Sequence, residues 1–70
     1  MKRRDLIKQL KEIARARGEI LELTEGGNHT KARIGSWVEP IPRHREISER
    51  LARAIIRRAM RDENRSASDS

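Results

Sequence analysis

The sequence predicts an α+β fold in which one helix, three antiparallel strands and a second helix follow one another. Apolar residues recur at helical spacing near each end of the chain, and between these segments they alternate with a period of two. Glycine-containing turns separate the alternating segments. A three-stranded antiparallel sheet with both helices on one face buries one side of the sheet and leaves the other side exposed.

The first helix is predicted over residues 5–17. Its apolar side chains follow the i, i+3, i+4, i+7 spacing of an amphipathic helix: Leu6, Ile7, Leu10, Ile13 and Ala14. Asp5 is suited to be its N-cap or a first-turn acid, and Gly18 stands where a helix commonly ends.

A β-hairpin is predicted next. In residues 19–25, Leu21 and Leu23 alternate with polar residues, as in a half-buried strand. The turn that follows, Gly26-Gly27-Asn28, contains residue types that tolerate positive φ, which tight hairpin turns require. This turn delivers His29 to the first position of a second strand, residues 29–34.

Alternation along the second strand divides its side chains into two sets. Thr30, Ala32 and Ile34 are predicted to face the core, and His29, Lys31 and Arg33 to share the exposed face. An imidazole has an unperturbed pKa near neutrality, which suits it to proton transfer. The alternative is an exposed turn histidine that has no functional role.

The third strand is predicted over Trp37–Pro42, after a turn at Gly35-Ser36. Its two prolines confine it to an edge of the sheet or to a short length. Trp37 is either a base-stacking side chain or, as the single aromatic residue, part of the core or of a protein interface.

The second helix is predicted over residues 47–61, with Ser48 as its N-cap. Its buried stripe is predicted to consist of Leu51, Ile55, Ile56 and Ala59. Residues 62–70 are polar and lack an apolar period, so they are predicted to form a disordered tail. Residues 1–61 therefore make a single domain, and its element order is also that of the double-stranded-RNA-binding domain.

The chain is strongly basic. Its 70 residues carry 17 Lys and Arg against 11 Asp and Glu, a net charge of +6, and the excess lies in two blocks, residues 1–17 and 43–61. Such blocks predict a polyanionic partner or an acidic protein, although charged residues on helices also form ordinary solvated faces. A domain this small has no room for a deep cavity, so any activity is expected on an open surface.

The sequence contains no cysteine and no visible metal-ligand cluster, so no disulfide, metal or other cofactor is predicted. No hydrophobic stretch follows the basic start, and no apolar run is long enough to span a membrane. A cytoplasmic protein without membrane contact is expected. Nothing resembles a helix-turn-helix or ribbon-helix-helix reader, so direct sequence-specific DNA binding is not expected.

Three segments in combination resemble the HicA toxins of bacterial type II toxin-antitoxin systems. They are residues 1–8 (MKRRDLIK), the turn at 26–29 (GGNH) and residues 41–47 (IPRHREI). The resemblance implies an mRNA interferase with a double-stranded-RNA-binding-like fold, one essential histidine after a Gly-Ser turn, and neutralisation by a HicB-type antitoxin. The matching histidine is His29, and Asn28 stands where serine is usual in the family.

The chemistry of RNA cleavage is compatible with one exposed histidine. RNA carries its own nucleophile, so a ribonuclease must remove the 2′-hydroxyl proton, stabilise the phosphate and protonate the leaving 5′-oxygen. His29 is the candidate general acid or base, and Lys31 is a candidate stabiliser of the phosphate. The side chains predicted to contact RNA are Lys31, Arg33, Arg43, His44 and Arg45, and the turn predicted to position His29 is Gly26, Gly27 and Asn28.

Two other functions remain open from the sequence. One is a non-catalytic RNA-binding module, and the other is a protein-interaction subunit with a cationic surface. A histidine at the turn favours the nuclease, because a binding module has no need of one there. His44, between two arginines, is more typical of an RNA contact or of a residue leading into a helix than of a second catalytic group.

Overall fold

The computed structural model describes the backbone of residues 1–69 and the side chains of residues 1–61. Its elements are α1 (Arg3–Ala16), β1 (Glu22–Glu25), β2 (His29–Ile34), β3 (Trp37–Pro42) and α2 (Glu49–Asp69). The strands form one antiparallel sheet in the order β1-β2-β3. The predicted α+β fold, with the element order of a double-stranded-RNA-binding domain, is confirmed. No helix in the described part of the chain is long and apolar enough to cross a membrane.

Helix α1 begins two residues earlier than the sequence predicted. Lys2 occupies the N-cap position without a side-chain cap, and Asp5 lies in the first turn rather than at the cap. The fully buried residues of α1 are Leu6, Leu10 and Ala14, whereas Ile7 and Ile13 are only partly buried. The predicted amphipathic face is therefore present, and the line through Leu6, Leu10 and Ala14 is its most deeply buried part.

Helix α1 ends where the sequence placed its stop. Gly18 has φ 69°, the left-handed conformation that favours glycine after a helix. The amide of Glu19 donates to the carbonyl of Ala14 (2.8 Å), and the amide of Gly18 donates to that of Arg15 (3.0 Å). This pair of bonds is the Schellman motif, which satisfies carbonyls that the last turn leaves unpaired.

Strand β1 is shorter than the predicted strand over residues 19–25. After the Schellman turn, residues 19–21 carry the chain from the helix to the sheet, and ladder pairing starts only at Glu22. All four β1 residues are exposed, including Leu23, although Leu23 pairs with the buried Ala32 of β2. Leu21 lies outside the strand and packs against the core instead.

The core lies between the two helices and one face of the sheet. Along β2, Thr30, Ala32 and Ile34 are buried and the three residues between them are exposed, as the alternation predicted. The hydrophobic core consists of Leu6, Leu10, Ala14, Ala32, Ile34, Trp37, Ile41, Ile47, Ala52, Ile55 and Ala59. Each fully buried Leu or Ile in such a core contributes about 1.5–3 kcal/mol. Trp37 is a core residue with 6% exposure, so its ring is not available for base stacking.

Helix α2 begins at Glu49, two residues later than predicted. The hydroxyl of Ser48 accepts a hydrogen bond from the amide of Leu51 (3.2 Å), which confirms Ser48 as the N-cap. The buried line of α2 is Ala52, Ile55 and Ala59, whereas Leu51 is 38% exposed and Ile56 is only partly buried. The buried face of α2 is therefore rotated by part of a turn from the predicted one, with Ala52 in place of Leu51.

The C-terminal end of α2 also differs from the prediction. The helix continues to Asp69 rather than ending at residue 61. Neither glycine nor proline occurs between residues 49 and 69, so no residue in that stretch stops a helix. The expectation that residues 62–70 form a disordered tail stays a prediction, because the side chains of residues 62–69 and the whole of Ser70 lie outside the described part of the structure.

Glu39 connects β3 to α2. Its Oε1 accepts a hydrogen bond from Trp37 Nε1 (3.0 Å), and its Oε2 accepts one from Arg58 Nε (2.8 Å). The hydrogen bond to Glu39 raises the pKa of Arg58 above its ordinary value, partial burial opposes this rise, and the charge of Glu39 adds to it. This pair closes the edge of the core at the third strand.

Candidate nucleic-acid interface

The hairpin between β1 and β2 places His29 at one end of the sheet. Glu25 pairs with Thr30, and the amide of Gly26 donates to the carbonyl of His29 (3.2 Å). On its other side His29 pairs with Pro42 of β3. The backbone of His29 is thus held from both sides, while its side chain is exposed.

The turn forms without the left-handed conformation on which its sequence-based prediction rested. The described residues with positive φ are Gly18 and Gly35, so Gly26 and Gly27 do not adopt it. A longer connection between paired residues is less demanding than a two-residue turn. Space does not require glycine either, because a Cβ at Gly26 or Gly27 would meet no atom within 4 Å. The fold therefore has no need of glycine at these two positions.

His29 borders an open concavity of about 460 Å³ on the exposed face of the sheet. This sheet-face concavity is lined by Thr24, Gly26, Gly27, Asn28, His29, Lys31, Val38 and Pro40. Its titratable side chains are His29 and Lys31, and neither makes a hydrogen bond or an ion pair with another described residue. Both are consequently available to a ligand, and Val38 and Pro40 add an apolar surface beside them.

Polar contacts on the other side of β2 fix the strand end that carries His29. Thr30 Oγ1 donates to Glu25 Oε1 (2.9 Å) and accepts a hydrogen bond from Arg3 Nη2 (2.8 Å). Arg3 Nε also donates to the carbonyl of Pro42 (3.1 Å). Because Thr30 follows His29 and Pro42 pairs with it, the first residue of α1 helps to position the histidine. Sequence reasoning missed this role, since no spacing pattern relates Arg3 to the hairpin.

A second concavity, the basic pocket, has a volume of about 450 Å³. It is lined by Lys2, Arg3, Arg4, Arg43 and Arg45. Backbone hydrogen bonds bring its two segments together: the amide of Arg3 donates to the carbonyl of Arg45 (2.8 Å), and the amide of Ile47 donates to that of Met1 (2.8 Å). A β-bridge between Lys2 and Glu46 lies between these two bonds.

The basic pocket lies beside the turn that carries His29. Arg43 Nη2 donates to the carbonyl of Gly26 (2.8 Å) and forms an ion pair with Glu25 Oε1 (2.8 Å). Arg3, on another wall of the pocket, contacts Thr30. Two pocket arginines therefore contact the hairpin at positions within four residues of the histidine.

The side chains predicted to contact RNA fall into separate places. Lys31 shares the sheet-face concavity with His29, and Arg43 and Arg45 belong to the basic pocket. Arg33 lies on the exposed sheet face but hydrogen-bonds to the carbonyl of Gly35 (3.3 Å) and lines a different depression. His44 is exposed and lines neither of the two concavities.

The sequence analysis missed the N-terminal half of the basic pocket. The run Lys2-Arg3-Arg4 was counted only as part of a basic block, and its proximity to Arg43 and Arg45 depends on backbone pairing between distant segments. Among the described residues, no group of three or more His, Cys, Asp or Glu side chains is placed to hold a metal ion. No protein-family model, curated protein or solved structure matches this chain.

Proposed function

We propose that this protein is an endoribonuclease toxin that cleaves messenger RNA, with His29 as its general acid or base and a HicB-type antitoxin as its neutralising partner. The observation that carries the proposal is the position of His29. Its side chain is exposed and unpaired among the described residues, beside Lys31 on an open sheet face and next to a pocket lined by five cations. A type II toxin of this kind acts in the cytoplasm.

The open geometry is suited to a large substrate. The sheet-face concavity is open to solvent, so a polynucleotide can lie across it and make further contacts along its own length. Val38 and Pro40 offer an apolar surface for a base or a ribose, and Lys31 offers a charge for a phosphate. The basic pocket attracts the phosphate backbone of the RNA, whatever the base sequence of that RNA.

The proposed reaction is intramolecular transesterification of RNA. The 2′-hydroxyl oxygen attacks the adjacent phosphorus and loses its proton, and the bond from phosphorus to the 5′-oxygen breaks. The leaving 5′-oxygen takes up a proton, which gives a 2′,3′-cyclic phosphate and a free 5′-hydroxyl. The imidazole of His29 takes or gives one of these protons, and Lys31 stabilises the charge that grows on the phosphate oxygens.

A slow reaction is expected from this arrangement. Among the residues that line the sheet-face concavity, the only imidazole belongs to His29, and His44 lies outside it. No second imidazole of this concavity is therefore placed to carry the other proton. General acid-base catalysis by one positioned side chain is worth about 10²- to 10⁴-fold, which suits a toxin that acts over many minutes on many messages.

The first experiment is cleavage of a messenger RNA by the full chain in the presence of EDTA. His29→Ala is expected to lower the rate by about 10²- to 10⁴-fold. Circular dichroism should show an unchanged fold, because the side chain of His29 is exposed. Fragments should end in a cyclic phosphate, which a phosphatase removes only after acid opening.

His44→Ala is the matched control, because it removes the other histidine of the chain. It is expected to change the cleavage rate by less than about tenfold, as loss of one surface contact would. Equal rates for wild type and His29→Ala would contradict the role given to His29. Growth arrest on expression of wild type but not of His29→Ala, with rescue by a HicB-type antitoxin, would test the cellular part of the proposal.

A second candidate function is a non-catalytic RNA-binding module. The observation in its favour is the absence of a second imidazole from the lining of the sheet-face concavity. This candidate predicts salt-dependent RNA binding in which His29→Ala has little effect and fragment length never changes. The same cleavage gel separates it from the nuclease.

A further inference from the structure

We propose that the basic pocket is a binding site for a single phosphate group of an RNA backbone, separate from the phosphate that reacts at His29. This inference rests on the proposed function for its ligand, because it names the part of the RNA that lies beside the cleaved bond. It assigns a role to Lys2 and Arg4, which the proposed reaction does not use, and adds an RNA contact to the positioning role of Arg3.

The pocket collects more positive charge than neighbouring carboxylates compensate. Every one of its five lining side chains is cationic. Arg43 is paired with Glu25, but Lys2, Arg4 and Arg45 form no ion pair or side-chain hydrogen bond with another described residue. Asp5 and Glu46 lie on the same two segments, and neither lines the pocket. Like charges held together in this way repel one another, and a bound anion relieves the repulsion.

The walls of the pocket are fixed before any ligand arrives. Arg3 is anchored by the carbonyl of Pro42 and the hydroxyl of Thr30, and Arg43 by Glu25 and the carbonyl of Gly26. Both arginines use part of their guanidinium donors on these anchors and keep further donors for a ligand. A preformed site loses less conformational entropy on binding than a flexible one.

The start of α1 adds to the same electrostatic field. Arg3 is the first residue of the helix, and its amide donates to the carbonyl of Arg45, whereas the next amide, that of Arg4, has no backbone acceptor among the described residues and the N-cap Lys2 offers it no side-chain oxygen. A helix N-terminus carries a partial positive charge and favours an anion, most of all where no side chain caps it. The helix end acts here together with the five cations, not in place of them.

The convergence of donors favours a phosphate over a carboxylate. A planar carboxylate is matched by the fork of one guanidinium, whereas a phosphate accepts hydrogen bonds on several oxygens from different directions. Cations from two segments, residues 2–4 and residues 43–45, line the pocket, which has a volume of about 450 Å³. Arg43 also joins the pocket to the hairpin that carries His29, through its hydrogen bond to the carbonyl of Gly26.

The test is RNA binding in the His29→Ala background, so that cleavage does not intervene. The probe is a fluorescent single-stranded oligouridylate of about twelve nucleotides, titrated at several salt concentrations. Lys2→Gln with Arg4→Gln removes two pocket charges that make no described contacts. Lys8→Gln with Lys11→Gln is the matched control, because it removes two exposed charges from the same helix outside the pocket.

The pocket variant is expected to bind about tenfold more weakly than its parent, as after loss of a charge-assisted contact. The slope of log K against log salt is negative, and its magnitude is expected to decrease by about 0.7, the value for one phosphate contact on a single strand. The control variant is expected to lose less than about threefold and to keep its slope. Equal losses in the two variants would overturn the proposal, because affinity would then follow net charge alone.

Two further probes identify the source of the anion. An oligoglutamate of equal charge should bind the pocket variant and its parent with equal affinity. A tenfold loss of affinity for that probe would assign the pocket to an acidic protein and overturn the proposal. Inorganic phosphate at constant ionic strength should compete weakly with RNA, and complete displacement at micromolar phosphate would identify a free anion as the ligand instead. Pocket-dependent RNA binding by a chain whose wild type never cleaves RNA supports the pocket while refuting the nuclease.

Discussion

The substitution Gly27→Ala is expected to affect the stability of the fold and the activity of the candidate site in opposite directions. Gly27 lines the sheet-face concavity with His29, its φ is not positive, and a Cβ added there would meet no atom within 4 Å. The folded protein therefore accepts alanine without strain. Close approach of the backbone to a ligand is the remaining physical reason for glycine at this position.

The expected effect on stability is a small gain. Alanine restricts the unfolded chain more than glycine does, which stabilises a compatible site by about 0.4–1 kcal/mol. For a domain of this size, about 1 kcal/mol raises Tm by about 4–8 °C, so the rise for Gly27→Ala should be about 2–8 °C. The expected effect on RNA cleavage has the opposite sign, because a methyl group that displaces the substrate by about 1 Å costs up to about 100-fold in rate.

Gly35→Ala is the control, because Gly35 differs from Gly27 in two respects: its φ is positive, and a Cβ there would meet another side chain. Gly35 has φ 58°, and a Cβ there would lie 2.6 Å from Glu19 Oε2. A left-handed alanine costs about 1–2 kcal/mol, so Tm should fall by about 4–16 °C, while cleavage below Tm stays near that of wild type.

The measurements are thermal unfolding by circular dichroism and the initial rate of RNA cleavage well below Tm. A lower Tm for Gly27→Ala would refute the account of the turn. A higher Tm with an unchanged cleavage rate would refute the placement of RNA against this turn.

Three further outcomes follow from single contacts. Ser48→Ala removes the N-cap hydrogen bond of α2 and should lower the free energy of unfolding by about 1 kcal/mol, measured by urea denaturation. Arg3→Lys keeps the charge but loses the two-donor contact with Thr30 and the third strand, so it should lower the cleavage rate through a displaced His29, whereas an unchanged rate would remove Arg3 from that role. The hydrogen bond to Glu39 raises the pKa of Arg58 in the folded protein. The stabilisation that comes from this shift is fully present at any pH below the pKa of the arginine in the unfolded chain, and it is lost only as the pH rises through the pKa in the folded protein. The Tm difference between wild type and Arg58→Ala should thus be the same at about pH 7 and about pH 9, and a difference that disappears at pH 9 would contradict this.

Local patterns made the fold and the sidedness of β2 predictable. Helical spacing and strand alternation each depend on neighbours within a few residues, so the exposure of His29 and Lys31 could be read directly from the sequence. The bounds were less predictable, because the start of β1 depends on where a partner strand is available. The turn glycines were correctly placed in a hairpin, but for a conformational reason that the backbone does not use.

The basic pocket was beyond sequence reasoning because its two halves are joined only by tertiary contacts. Neither residues 1–3 nor residues 45–47 have a strand pattern, and their pairing is a short ladder outside the sheet. Charge counting identified both basic blocks without showing which of their side chains meet. Geometry then divided the predicted RNA contacts, with Arg33 and His44 outside both concavities.

The joining of these two segments has a consequence for the order of events during synthesis. Arg3 meets Pro42 across 39 residues of sequence, and the bond between Arg3 and Arg45 spans still more of the chain. Closing so long a loop costs entropy that only later contacts repay. At about 5–20 residues per second, a ribosome has exposed α1 for some seconds before the second wall can form. A nascent or truncated chain that ends before residue 43 therefore presents an ordinary basic helix, and the anion site arises only once the third strand and the loop after it are in place.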